Sequence, residues 1–302
     1  MQSAYSFYHK QNFVLEEEIK FFEASLSKTY DLYISILGLI KSLVDFSIQQ
    51  LKTHEELGVN EVNYQNIKKF SQNKVLLMIQ QHPVLKKKLK SKKIINWELE
   101  FVFLKELLLK MTENSSFNEY QKIFNPTWNE DLQWFMNSFK IHIASSDYLY
   151  EFLEDQHITW IDDLPLINTF LSKTFKKLIA KKNELIPFPE FIKSNEDVKF
   201  GRDLLERIII NDQKLELELE GKTPNWDADR IAILDRVVLK IAIAELLFFP
   251  SIPTKVTMNE YLEIAKDYST PKSNNFVNGV LDKLVREFKE ENRLNKSGRG
   301  LL

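Results

Sequence analysis

Histidine and carboxylate side chains are the first candidates for chemistry in this sequence, because they bind metals and transfer protons. The five histidines lie far apart and form no HxxxH or HExxH pair, which favours structural or surface roles over a metal site. The acidic runs at 16–18 and 216–220 lie among leucines and lysines, so solvated helix faces are the simpler interpretation. We therefore expect no catalytic residue and no bound metal. The histidines are His9, His54, His82, His142 and His157.

Glycine and cysteine usage excludes further classes of site. No GxGxxG, GxxxxGKS/T or GxSxG motif occurs among the seven glycines, so we expect no nucleotide cofactor and no small-molecule substrate. The absence of cysteine excludes disulfides, thiolate zinc sites, iron–sulfur clusters and a cysteine nucleophile. No apolar run reaches the ~18 to 20 residues that span a bilayer. We expect a cytoplasmic, non-enzymatic protein that does not contact a membrane.

Lysines form the one group whose spacing predicts binding. Nine lysines and no acidic residue lie between Val62 and Trp97, although the formal net charge of the whole chain is only -2. Such a segment can neutralise phosphates, with an affinity that falls as salt is added. It can equally be a solvated helix end. The candidates for phosphate contacts are Lys86, Lys87, Lys88 and Lys90.

The elements that must position these residues are predicted to be helices. The chain has 302 residues with few glycines and prolines, and apolar side chains recur at helical spacing over 13–57 and 94–111. Further helices are expected over 128–183 and 197–220, and the polar stretch 113–127 is a candidate boundary. Thr257 and Glu260 have the spacing of a capping box at the start of a helix. We expect an all-α fold.

The stretch "NNFVNGVLDKL" at 274–284 has apolar side chains on one helical face, with Gly279 in its middle. A glycine inside a helix costs about 1 kcal/mol relative to alanine. We interpret Gly279 as a point where another helix backbone approaches closely, and Asn278 as a side chain that could cross-link to a neighbouring backbone group.

The final third of the chain resembles the NusB family of transcription antitermination factors. The ordered pairs Ile252–Pro253, Asn259–Glu260 and Ala265–Lys266, followed by "FVNG" at 276–279, carry the resemblance. "MQSAYSFY" at the start is similar to the middle of the family's first helix. The structural signature comprises Asn259, Glu260, Asn278 and Gly279.

This resemblance implies a domain organisation of NusB-like helical bundles with an added helical region. Residues 1–12 would be a remnant of the first NusB-like helix, 13–195 an inserted helical region, 196–290 the C-terminal NusB-like bundle and 291–302 a flexible tail. The arginine-rich run that the family usually has before the Gln is missing ahead of Gln2. We expect either that the true start lies upstream or that this motif has been lost.

The function that the resemblance implies is recognition. NusB proteins bind boxA-type nascent ribosomal RNA together with the ribosomal protein NusE, and the assembly acts on the RNA polymerase elongation complex. The alternative is a helical protein-interaction module that has lost RNA binding. A third possibility, the NusB-like domain of an RNA cytosine methyltransferase, is rejected because this chain has no catalytic cysteine.

Individual contact residues also follow from the resemblance. Tyr5 and Lys272 match positions at the family's RNA surface, although the family often has an acid where Lys272 stands. Asp235, Tyr268 and Phe276 match positions on the NusE-facing side. The alternatives to partner contact are an ordinary exposed helix charge for Asp235 and partial core burial for the two aromatic residues. We also hypothesise that the lysine-rich segment supplies some of the phosphate contacts of the missing arginine-rich run.

Overall fold

The computed structural model describes residues 1–10, 12–58, 62–91, 94–178, 186–188, 195–222, 232–270 and 272–297. Within these ranges every regular element is a helix, so the predicted all-α fold is confirmed. The chain divides into two compact units. Unit 1 comprises residues 1–24 and 192–302, and unit 2 comprises residues 25–191.

Unit 2 is built on the long helix α2, which begins in unit 1 and continues through unit 2. Residues 32–40 of α2 are buried on every side, as expected for a helix that is apolar all round. In the described part of unit 2, α2 is followed by further α-helices, a short 3₁₀ helix and a π-helix. The elements are α2 (Leu15–Leu57), α3 (Val62–Ser71), α4 (Lys74–Gln81), α5 (Pro83–Lys88), a 3₁₀ helix (Trp97–Leu99), α6 (Phe101–Thr112), α7 (Ser115–Gln121), α8 (Trp128–Ser138), a π-helix (Phe139–Ala144), α9 (Asp147–Gln156) and α10 (Trp160–Lys177).

A buried polar cluster joins three elements of unit 2. Asp131 in α8 is fully buried, and its carboxylate accepts hydrogen bonds from the Tyr120 hydroxyl at 2.5 Å and the Lys74 backbone N–H at 3.0 Å. Asn73 caps the start of α4 and also donates to the Asp131 carbonyl oxygen at 3.1 Å. Trp134 stacks on Tyr120 with ring centroids 4.8 Å apart. The cluster satisfies polar groups that would otherwise be costly to bury.

Unit 1 is organised around α13, the most apolar of its helices. The first helix of the chain packs against α11 and α13, and α14 and α15 form a helical hairpin that also packs on α13. The helices of this unit, besides the first turns of α2, are α1 (Gln2–His9), α11 (Asn195–Ile210), α12 (Asp212–Leu219), α13 (Ile233–Phe248), α14 (Thr254–Tyr268) and α15 (Ser273–Glu290).

The start of α14 differs from the capping-box prediction. The helix begins at Thr254, whereas Thr257 as a cap would place its first residue at Met258. Thr257 is instead buried inside the helix, where its hydroxyl donates to Glu245 at 2.7 Å. Tyr261 donates to the other oxygen of Glu245 at 2.7 Å. The threonine therefore serves a buried carboxylate of α13, and the predicted capping box is wrong.

The interpretation of Gly279 as a close helix contact is also wrong. Gly279 is exposed, and a β-carbon built on it would meet nothing within 4 Å. The close approach in unit 1 lies at Gly201 of α11, where a β-carbon would overlap the ring of Phe22. Asn278, expected to cross-link to backbone, makes no side-chain hydrogen bond within the described residues. Gly201 thus makes room for a side chain and not for the helix backbone that was expected beside Gly279.

These two glycines give a matched pair of substitutions. Gly279→Ala should raise the free energy of unfolding by about 1 kcal/mol, because it improves helix propensity without a clash. Gly201→Ala should stabilise less than Gly279→Ala, because its methyl group displaces the half-buried ring of Phe22 and the cost of this shift offsets the propensity gain. Urea denaturation followed by circular dichroism would measure both. A loss of stability in Gly279→Ala would show that the space beside it is filled.

Residues 291–297, assigned to the tail from sequence, contact the end of α13. The Lys296 ammonium donates to the backbone oxygens of Glu245 at 3.2 Å and Phe249 at 3.0 Å. The Ser297 N–H donates to the Pro250 oxygen at 2.8 Å. The Glu245 and Phe249 oxygens also accept the N–H groups of Phe249 and Ile252, so Lys296 adds a second donor to each of these carbonyl groups at the end of α13. Residues 298–302 of the predicted tail lie outside the described residues.

Candidate functional site

Asp235 holds the connection between α14 and α15. Its carboxylate accepts hydrogen bonds from the hydroxyls of Ser269 at 2.6 Å and Ser273 at 2.8 Å. The two hydroxyls are themselves 2.9 Å apart, and Asp235 is only 5% exposed. The alternative interpretation of Asp235 as an ordinary exposed helix charge is therefore wrong. Because Asp235 is buried, it would affect a partner surface by holding the α14–α15 connection in place and not by direct contact.

The connection presents the other predicted contact residues of unit 1. Tyr268 ends α14 and is 44% exposed. Lys272 is exposed and immediately precedes α15, and its carbonyl oxygen accepts the N–H of the half-buried Phe276 at 3.2 Å. The structure thus brings together Lys272, which was predicted to contact RNA, and three residues that were predicted to contact a protein. Ser269 and Ser273 were not predicted from sequence, because nothing local shows that the distant Asp235 needs two donors.

Tyr5 lies on the outer side of α1, where it is 37% exposed. Ala4 and Tyr8 face inward, and the Tyr8 hydroxyl donates to Asp212. Burial and this hydrogen bond raise the pKa of Tyr8, so its hydroxyl stays protonated. The position of Tyr5 on the surface is consistent with its predicted role, but the described contacts do not join α1 to the α14–α15 connection.

The lysine-rich segment lies in unit 2, and the structure separates its members into two groups. Lys69 and Lys74 point their ammonium groups at the backbone oxygens of Ile123 and Pro126. The four lysines predicted to contact phosphates are exposed, and no ion pair involves them within the described residues. Lys88 lies 5.1 Å from the ring of Tyr30. The exposed set is Lys86, Lys87, Lys88 and Lys90. Lys92 and Lys93 fall outside the described residues.

The signature residues on α14 and α15 are mostly on the surface. Asn259, Glu260 and Gly279 are exposed, and Asn278 is half-buried. None of them has a side-chain hydrogen bond or ion pair among the residues that the structure describes. Their proposed structural role therefore has no support in the contacts of these helices.

Two other kinds of site are absent from the described residues. No group of three or more histidine, aspartate or glutamate side chains could hold a metal ion there. No helix in the same ranges has the length and apolar character needed to cross a membrane.

Comparison with known proteins finds matches to one part of the chain. Residues 167–286 match the family model described as NusB family. The chain is 44% identical over 99 residues to the transcription antitermination protein NusB of Chloroherpeton thalassium, covering 33% of this chain and 47% of the relative. It is 42% identical over 103 residues to the NusB protein of Salinibacter ruber, covering 34% of this chain and 64% of that relative. This chain thus spans about half to two thirds of the length of these curated relatives.

A solved structure is also similar. The T. maritima NusB structure is 29% identical to this chain, with a TM-score of 0.31, and the match covers 38% of this chain and 84% of the other.

Proposed function

We propose, from the NusB family domain that residues 167–286 form, that this protein is a transcription antitermination factor. In this proposal it binds boxA-type nascent ribosomal RNA together with the ribosomal protein NusE and promotes processive transcription. It contacts the RNA polymerase elongation complex indirectly and acts by recognition rather than catalysis. The observation that carries the proposal is the similarity of about 100 residues to proteins named for antitermination.

The two partners would meet at the α14–α15 connection and would otherwise use different parts of the surface. We assign the NusE-type protein to the α14–α15 connection, where Tyr268 and Phe276 flank the loop that Asp235 holds. Aromatic side chains that are partly exposed are well suited to protein interfaces. We assign RNA to Tyr5 and Lys272 in unit 1 and to the exposed lysines of α5 and the residues after it. Base stacking would give specificity, and the lysines would contact phosphates.

A titration of labelled boxA-type RNA, with and without NusE, tests the proposal. We expect NusE to bind the protein and to tighten RNA binding. Fluorescence anisotropy measures both steps. Tight NusE binding without any effect on RNA would contradict the RNA part and favour the protein-interaction module.

The exposed lysines of unit 2 should affect the salt dependence of RNA binding. Replacing Lys86, Lys87, Lys88 and Lys90 with glutamine should weaken binding and reduce the salt slope by up to ~0.7 for each phosphate that the variant no longer neutralises. The measurement is the affinity at several salt concentrations.

A control for this variant is available in the same unit. Four other exposed lysines of unit 2 can be replaced with glutamine, which removes the same charge. This control should keep the original salt slope. An equal reduction in both variants would show that only net charge matters, and an unchanged slope in the first would refute the phosphate contacts. The control lysines are Lys105, Lys110, Lys122 and Lys140.

A further inference from the structure

Two aromatic rings pack against each other on the outer surface of α1. The ring centroids of Tyr5 and His9 are 4.4 Å apart, and the ring planes are tilted by 38°. The two residues are one helical turn apart, and both are exposed. A ring pair on a helix surface offers a π-face to a ligand at little entropic cost, because each ring limits the rotation of the other.

The opposite side of α1 is held by a partly buried charge cluster. The Tyr8 hydroxyl and the Lys240 ammonium both donate to the same oxygen of Asp212, with the ammonium at 2.6 Å. Lys240 is 2% exposed, lies 5.0 Å from the centre of the Tyr8 ring, and also pairs with Glu216 at 2.7 Å. One carboxylate oxygen therefore joins α1, α12 and α13. This arrangement fixes the rotation of α1, and with it the outward direction of Tyr5 and His9.

Unpaired bases are the ligand chemistry that suits this surface. Single-stranded RNA is recognised largely by stacking of its bases on tyrosine, phenylalanine, tryptophan and histidine rings. A duplex hides its base faces, so only unpaired bases can stack on the exposed rings of α1. Tyr5 alone was expected to contact RNA, and nothing in the sequence pointed to His9.

We propose that Tyr5 and His9 form a two-ring stacking platform for a base of single-stranded RNA, and that Tyr8 positions this platform through Asp212. The inference rests on the proposed function, since it assumes that the protein binds RNA. It adds one binding residue, His9, and one positioning residue, Tyr8.

Anisotropy titrations with boxA-type RNA in the presence of NusE test the platform in the full chain. His9→Ala and Tyr5→Ala should each weaken RNA binding by about 5- to 150-fold, the range for removal of one stacking ring. The salt slope should stay unchanged, because a stacked ring neutralises no phosphate. His9→Phe keeps a ring and should retain most of the affinity. A reduced salt slope in His9→Ala would mean that His9 contacts a phosphate, which would overturn the stacking role.

A matched control lies in unit 2, where His54 neighbours Tyr64 with ring centroids 6.3 Å apart. His54→Ala should leave RNA binding unchanged, and an equal loss in both histidine variants would overturn the platform. If the native protein binds no RNA, the RNA part of the proposed function fails. If it binds RNA and His9→Ala binds equally well, the platform alone fails.

A double-mutant cycle tests the role of Tyr8. Tyr8→Phe keeps the ring and removes the hydrogen bond to Asp212, and it should weaken RNA binding several-fold. The same change in a Tyr5→Ala background should have little further effect, because Tyr8 acts through the platform. Equal losses in both backgrounds would indicate general destabilisation and overturn the positioning role. Circular dichroism of each variant reports whether the helical fold is retained.

Discussion

Replacing Asp235 with alanine should open the α14–α15 connection and weaken NusE binding at least tenfold. The substitution leaves the hydroxyls of Ser269 and Ser273 without their carboxylate acceptor, which should lower the free energy of unfolding by about 2 kcal/mol. The loop that carries Lys272 would then lose its fixed conformation. Amide hydrogen exchange over 268–276 and a binding titration with NusE measure the two effects separately.

The control for this experiment is Asp267→Ala, which removes an exposed carboxylate near the end of α14. We expect it to change neither the exchange rates nor the affinity appreciably. Protection over 268–276 that survives in Asp235→Ala would contradict the role of the carboxylate. Faster exchange with unchanged NusE affinity would support the role of the carboxylate in holding the connection. It would also show that NusE binds elsewhere on the protein.

Replacing Asp131 with alanine should have the largest effect on unit 2. The change removes the acceptor for the Tyr120 hydroxyl and for the N–H of Lys74 from a fully buried position. Breaking a buried hydrogen-bonded carboxylate network typically costs about 3–5 kcal/mol. Urea denaturation followed by tryptophan fluorescence measures this loss, because four of the five tryptophans lie in unit 2 and one of them, Trp134, stacks on Tyr120.

Two further variants make this result specific. Asp131→Asn keeps one acceptor oxygen and should be destabilised less than the alanine variant. Asp155→Ala removes an exposed carboxylate from α9 of the same unit and should lie within about 0.5 kcal/mol of the native protein. A denaturation midpoint of Asp131→Ala close to that of Asp155→Ala would show that the cluster contributes little to unit 2.

The all-α fold could be predicted from sequence because it depends on local composition and spacing. The buried run 32–40 of α2 was visible as apolar side chains at helical intervals. The misassigned glycine shows the limit of such patterns. Periodicity places Gly279 on a helix, but only the packing of other helices shows that the space beside it is empty and that the close approach lies at Gly201.

The candidate site was harder to predict, because its key contacts join residues that are distant in sequence. Asp235 became a buried acceptor through serines 34 and 38 residues later in the chain. The lysine-rich segment posed a related difficulty. Its members have the same chemistry, and only the tertiary structure separates Lys69 and Lys74, which bind backbone oxygens, from the exposed group.

The division of unit 1 into two chain segments has a consequence for the synthesis of the protein on the ribosome. Tyr8 and its partner Asp212 are 204 residues apart, so at about 5–20 residues per second α1 waits about 10–40 s for its binding site. Unit 2 is continuous in sequence and emerges complete during that interval. The inner surface of α1 stays an uncovered target for chaperones until α11, α12 and α13 have left the ribosome, and unit 1 completes its core only when α14 and α15 follow.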